Sequence, residues 1–200
     1  MRKILGLVLG LVTICGSALA ADEYKIDTKH SSVGFSVTHM VVSTVNGRFN
    51  DYDGTILFDE KDPGKSSVNV TIKSASINTD NTGRDTHLKS GDFLDAQNHP
   101  EITFQSKSVE KKGDSYVAHG TLTIRGVAKD VDMPFELKGP VDMGKMKLMG
   151  AHASLTINRM DYGVSWSKSL DKGQLVVSND VKIDINVEAH TAPPAAGTGK

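Results

Sequence analysis

Residues 30–42, HSSVGFSVTHMVV, alternate apolar with small or polar side chains at a period of two. Val33, Phe35, Val37 and Val41 fall on one face, and His39 shares their row. That period belongs to a strand with one dry and one wet face. The same pattern returns along the chain. YDGTILFD aligns Tyr52, Ile56 and Phe58, SVNVTIKSASI aligns Val68, Val70 and Ile72, and EITFQSKSV aligns Ile102 and Phe104. YVAHGTLTI aligns Tyr116, Ala118, Gly120, Leu122 and Ile124, and VAKDVDMPFEL aligns Val127, Val131, Met133, Phe135 and Leu137. KLMGAHASLTIN aligns Met149, Ala151, Ala153, Leu155 and Ile157, and LVVSNDVKIDINVE carries Leu175, Val177, Val181, Ile183, Ile185 and Val187 in one row. This gives about eight strands.

Gly, Pro and Asp in KKGDS, in the pair Arg125–Gly126 and in DEKDPGKSS mark hairpin turns between them. Clean alternation indicates antiparallel strands, because parallel strands covered by helices on both faces read as continuous apolar runs. No long helical stripe is available to cover a second face. Such a sheet hides its apolar side and its edges by closing into a barrel or folding into a sandwich.

The ends bound the domain. Arg2 and Lys3, an apolar run from Ile4 to Ile14 and GSALA ending at Ala20 follow the order of a secretory signal peptide, so residues 1–20 are expected to be removed. The run is shorter than the ~20 residues of a membrane span. The barrel domain is expected over residues 21–190. The small, Pro/Gly-rich stretch TAPPAAGTGK, residues 191–200, reads as a flexible tail. The single cysteine, Cys15, leaves with the signal, so no disulfide framework is expected. The formal net charge of −1 becomes about −3 on loss of Arg2 and Lys3, which excludes a global basic field for nucleic acid.

One region breaks the rhythm. Residues 78–100, NTDNTGRDTHLKSGDFLDAQNHP, lack alternation, and Ser90 is a plausible N-cap for a short helical turn through Phe93 and Leu94. An insertion of this length in a compact β domain is either a lid or binding loop, or a packed plug at one barrel end.

The ordered segments HSSVGFSVTHMVVSTVNGRF, RDTHLKSGDFLDAQNHPEITFQS, GTLTIRGVAKDV and RMDYG closely resemble the YceI-like family of secreted bacterial proteins, over roughly Tyr24 to Glu188. The resemblance implies an all-β fold, an antiparallel eight-stranded lipocalin-like barrel with a short helical loop insertion. It also implies an elongated apolar pocket for a polyisoprenoid or another long-chain lipid.

The residues point the same way by a separate route. An eight-stranded barrel either fills itself with side chains or holds one slender ligand, and the size of its inward residues decides which. Ala118, Gly120, Ala151 and Ala153 in the apolar rows leave room, unless they serve tight strand packing. Phe35, Val37, Phe104, Leu122, Met133, Phe135 and Leu155 suit a tunnel wall for a flexible chain. Burial yields ~0.8 kcal/mol per methylene, so a chain of about twenty carbons could gain ~16 kcal/mol gross, before losses of ligand freedom. No charged clamp is needed.

Candidate polar contacts at the mouth are His39, Arg84 and His87, since a guanidinium suits phosphate and a neutral imidazole can donate to a carbonyl. The alternative for RDTHL is a staple of the loop to the barrel through an Arg84–Asp85 network. His30, His39, His87, His99, His119 and His152 show no HxxxH or HxH pairing, so no metal site is expected. There is no GxSxG, DYDG lacks the later ligands of a calcium loop, and Arg159, Asp161 and Tyr162 read as a structural corner before a catalytic group.

The expectation is therefore a periplasmic carrier, not an enzyme and without a cofactor. Its partner is a long-chain lipid, an isoprenoid or isoprenoid quinone in preference to a fatty amide or acid. It has no membrane anchor and is monomeric or homodimeric. The competing readings are an enzyme acting on such a lipid and a structural stress protein with a filled barrel.

Overall fold

The alternating segments become strands in the structure, a computed structural model that describes residues 21–169, 173 and 175–192. In chain order they are β1 (Asp22–Ile26), β2 (Ser32–His39), β3 (Ser43–Phe49), β4 (Tyr52–Phe58), β5 (Ser67–Lys73) and β6 (Ile77–Asn78). The helix α1 (Thr82–Lys89) follows, then β7 (Glu101–Lys112), β8 (Ser115–Ile124), β9 (Val127–Asp142), β10 (Lys147–Asn158) and β11 (Asp180–Thr191). Every pairing is antiparallel. The ring runs β1–β4–β5–β7–β8–β9–β10–β11 and returns to β1, which closes an eight-stranded barrel.

Closure depends on β11, which serves two partners. Its first half pairs Lys182–Asn186 with Ser36–Ser32 of β2, and its end pairs Ala189–Thr191 with Ile26–Tyr24 of β1. β1 and β2 are thus two halves of one bent strand, as are β3 and β4 across Asn50 and Asp51. The expectation of a tail from residue 191 is off by one position, because Thr191 pairs with Tyr24 and its Oγ1 accepts a hydrogen bond from the Lys147 N–H at 3.0 Å. The signal segment 1–20 and the tail from 193 onward lie outside the described residues.

Several departures from the sequence reading have local causes. The opening strand ends at His39, and Val41, expected in its inward row, sits in the turn with φ of 65° and is 60% exposed. β1 and β3 were not legible as strands, because DEYKI and STVNGRF carry too few apolar residues to show alternation. β7 has a bulge between Ser106 and Ser108, so Phe104 and Val109, an odd distance apart, are both buried. Ser90 is the C-cap of α1 and not an N-cap. The N-cap is Asn81, whose Oδ1 accepts from the Arg84 N–H at 2.9 Å. The Arg125–Gly126 turn fits its expected place, with positive φ at both residues, as a two-residue hairpin loop of the primed type requires.

The bend between β1 and β2 is held by polar groups. The Ser31 hydroxyl donates to the Glu188 carbonyl and accepts from the Glu188 N–H. Asp27 accepts from the Lys29 N–H at 2.9 Å, and its Oδ2 lies 2.8 Å from His30 Nδ1. The His30 hydrogen bond, and then the Lys29 N–H, hold the Asp27 carboxyl below the usual carboxylate range. The same Asp27 bond, with the charges of Asp27 and Glu188, raises the His30 imidazole above its usual value. A raised histidine contributes stability that is fully present below its unfolded pKa and is lost as pH rises through its folded pKa. A lowered aspartate contributes stability present above its unfolded pKa and lost as pH falls through its folded pKa. In an NMR titration His30 should therefore have a midpoint above about 6.5, and Asp27→Asn should lower it toward that value, with Glu188 still acting on the ring. An unchanged midpoint in Asp27→Asn would rule out this pair as the clasp of the bend.

Candidate functional site

With its rows facing inward, the barrel retains a cavity of about 430 Å³ along its axis, within the range of small-molecule sites. One end is stopped by Tyr24, Phe58, Met149 and Ala189, which are almost fully buried against one another. At the other end α1, the β2–β3 turn and the segments around residues 159–166 and 176–178 surround the mouth. Arg84 and His87 are exposed there and still line the cavity.

The residues singled out in sequence fall as follows. Phe35, Val37 and His39 of β2 line the upper wall, and Phe104 of β7 with Ala118 and Leu122 of β8 line the middle. Met133 and Phe135 of β9 and Ala153 of β10 lie on the same wall. Leu155 does not line the cavity. The β10 register with β9 ends at Ala153–Phe135, and beyond it Leu155 packs against the main core. Ala118, Ala151 and Ala153 do face the cavity. Gly120 leaves no room, because a Cβ there would stand 2.8 Å from the Phe104 ring and 2.6 Å from the Gln105 carbonyl. The ring of Phe104 already occupies that space.

The mouth is tied together by polar groups. Arg84 does not bond Asp85 directly. It donates from Nε to Thr79 Oγ1 at 2.7 Å and from Nη2 to the Thr79 carbonyl at 2.8 Å, while Asp85 accepts from the Thr79 N–H and hydroxyl. The staple expected between neighbours thus runs through Thr79. His87 Nε2 lies 2.8 Å from Asp92 Oδ2. Its ring meets Phe93 and Trp166 edge-on at 5.0 and 5.4 Å, and those two rings are 5.3 Å apart. Sequence reasoning missed Trp166, whose only signal is that it is the single tryptophan of the chain.

Two arginines fasten the surrounding loops through carbonyls. Arg125 donates to Gly91, Phe93 and Gly163 at 2.7 to 3.0 Å, which pins the segment after α1 to the barrel rim. Arg159 is only 5% exposed. It donates from Nη1 to Val164 and Trp166, from Nε to Ser178 and from Nη2 to Asn179 Oδ1. Burial lowers its guanidinium pKa from a very high ordinary value, and a guanidinium stays charged in proteins. Its place fits the structural corner read from NRMDYG, although it also touches the cavity.

Chemically, this wall offers apolar contact with a few polar groups near the rim. Among the described residues, the one cluster of histidine and carboxylates close enough to share an ion is Asp27, His30 and Glu188. It lies at the β1–β2 bend, outside the cavity lining.

Comparison with known proteins places this architecture among relatives. The model of the YceI-like domain matches residues 24–189. A UPF0312 protein of Pectobacterium atrosepticum is 40% identical over 184 residues, covering 90% of this chain and 92% of that one. The crystal structure of a Campylobacter jejuni YceI protein is 34% identical with a TM-score of 0.66, covering 76% of this chain and 88% of that one. A polyisoprenoid binding domain from Saccharophagus degradans, implicated in plant cell wall breakdown, superposes with a TM-score of 0.63 at 17% identity. It covers 85% of this chain and 98% of that one.

Arg159 gives this site a direct test. Lysine keeps the charge but lacks the fork that reaches four acceptors, and it would leave buried carbonyls without partners. Arg159→Lys should lower the free energy of unfolding in denaturant titration by about 2–4 kcal/mol. A loss below about 1 kcal/mol would show that the carbonyls find other partners.

Proposed function

The chain belongs to the YceI-like family, and from that premise we propose that it is a periplasmic carrier that holds a long-chain apolar lipid, a polyisoprenoid or an isoprenoid quinone, along its barrel axis. The observation that carries this reading is the apolar cavity running from the mouth to the Tyr24–Phe58 stopper. A slender chain gains ~0.8 kcal/mol for each methylene it buries, so a wall of Phe, Val, Ala and Met is sufficient to hold it. The polyisoprenoid binding domain of S. degradans, with the same fold, supports the ligand class. The volume left by Ala118, Ala151 and Ala153 weighs against a structural protein with a filled barrel. An enzyme acting on such a lipid would need reacting groups facing the chain. Of the polar lining side chains at the rim, Arg84, His87 and Arg159 are instead engaged with Thr79, Asp92 and loop carbonyls, which leaves His39 to supply a single polar contact.

Native mass spectrometry of protein recovered from its own periplasm tests the ligand. A co-purified lipid of defined mass is expected, and a shortened or modified product would favour the enzyme. Protein that is always empty and takes up no added prenyl lipid would overturn the carrier. The same preparation should begin near Ala21, as cleavage after Ala20 requires; an intact N-terminus would remove the periplasmic assignment.

Ala153 is 9% exposed and faces Phe135 of β9 and Ile185 of β11. Ala153→Phe should place a ring in the tunnel, cut uptake of a fluorescent prenyl lipid at least tenfold and hardly move the melting temperature. In a filled barrel the same change would cost ~1–3 kcal/mol through overpacking. His39→Ala removes one polar contact at the mouth and should weaken binding less than tenfold. Unchanged uptake in Ala153→Phe would reject the tunnel.

A further inference from the structure

The β2–β3 turn exposes three consecutive apolar side chains, Met40, Val41 and Val42, at 43%, 60% and 87%. We infer that this tip inserts into the surface of a lipid bilayer and docks the cavity mouth against it, so that lipid passes between membrane and barrel. The inference rests on the carrier reading and adds the membrane as the docking partner.

The tip is continuous with the mouth. His39, the residue before it, lines the cavity, and the Met40 N–H donates to the carbonyl of Val176, which lines the cavity with Val177. A surface held by these three residues therefore lies beside the opening. The 3-10 turn Arg159–Tyr162 also belongs to this end and adds Met160, 38% exposed. The two other large exposed apolar residues among those described, Val141 and Met143, flank the β9–β10 turn at the opposite, stoppered end.

The backbone adds a second observation. Met40 and Val41 have φ of 48° and 65°, in the left-handed region that favours Gly, Asn or Asp. A β-branched valine is among the least suited residues there. The tip thus presents apolar side chains in a conformation that polar turn residues would adopt with less strain, a pattern associated with functional loops.

Charge fits a bilayer. From Ser31 to Asn50 the chain has no Asp or Glu, and its charged side chain there is Arg48, so the tip itself brings no carboxylate to the negative surface of anionic lipids, whereas Asp92 and Asp161 belong to other segments of the rim. A second copy of the chain fits less well. Three side chains on one turn fall short of the about 800 Å² per partner that a stable protein interface buries. At the membrane interface binding strength scales with the apolar area buried and needs no matched protein surface, so the few side chains of this tip contribute in proportion to what they bury.

The test uses the mature chain and vesicles of phosphatidylethanolamine and phosphatidylglycerol. In flotation, the wild type should partition to the vesicles, and the double variant Val41→Asp/Val42→Asp should lose at least tenfold. Val141→Asp at the opposite end should float like the wild type. Aspartate tolerates the left-handed region better than valine, so the double variant should fold and melt no lower than the wild type. Extraction of a prenyl lipid from vesicles should slow at least fivefold in the double variant, whereas equilibrium binding of the same lipid delivered in cyclodextrin should be unchanged. A wild type that does not float, or a double variant that floats equally, would overturn the docking. A wild-type dimer in light scattering that the double variant splits would overturn it in favour of self-association. Absence of binding to cyclodextrin-delivered lipid would instead overturn the carrier reading, and flotation would still decide the docking.

Discussion

The fold hangs on the shared pairing of β11. One continuous strand must bond β10 along one edge and, along the other, both halves of a bent strand, β2 and then β1. A closed ring leaves no open edge, and it separates an inside from an outside for every alternating segment at once. The bend at Asp27–Ser31 is what allows it, and Ser31 and Glu188 exchange two hydrogen bonds at the place where the ladder would otherwise be interrupted.

Closure explains why the interior is incompletely filled. Inward positions on neighbouring strands compete for one axial volume, and large residues at some are met by small ones at others. Gly120 beneath Phe104 and Gly47 beneath Phe35 show the balanced case, in which a ring lies where a Cβ would stand. Ala118, Ala151 and Ala153 border the cavity without such a covering, and space remains beside them. An empty apolar cavity forfeits dispersion contacts and costs stability. A ligand's methylenes would restore them.

How much of this could be read in advance depended on the length of each interaction in the chain. Alternation is local, so long strands such as β8, β10 and the apolar part of β11 were legible, and with them most of the cavity wall. β1 and β3 are strands because of partners distant in sequence, and their own residues do not announce it. The bulge at Ser106–Ser108 reverses parity without a glycine or proline to mark it. The helix lies before Ser90 and not after it: Ser90 and Asn81 are both good caps, and a serine can close the preceding turn as readily as open the next. Adjacency in sequence suggests an Arg84–Asp85 pair, whereas a helix begins between Thr79 and both of them and brings the threonine into the centre of the bond network. Leu155 keeps the row and packs against the main core, while Ile157, two residues on, lines the cavity, so parity alone does not decide which inward residues meet the open space.

The mouth shows how a barrel keeps one end both ordered and open. Its loops cannot be fixed by apolar packing alone, because the apolar surface there borders the cavity. Arg125 and Arg159 fix them by collecting carbonyls from segments far apart in sequence, Gly91 and Phe93 with Gly163 in one case, Val164 and Trp166 with Ser178 in the other. A guanidinium suits this task, since its five donors lie in one plane and several can be used without a counter-charge of fixed geometry. The aromatic cluster of His87, Phe93 and Trp166 then packs on the scaffold the arginines create. Among the described residues, the β2–β3 side of the rim is linked by backbone bonds and the Ser178 hydroxyl, which join His39, Met40 and Thr38 to Val176–Ser178. The rim is therefore asymmetric: a cross-braced polar half faces a lightly held apolar half. Among the described residues, the apolar half is the one that parts with fewer broken hydrogen bonds.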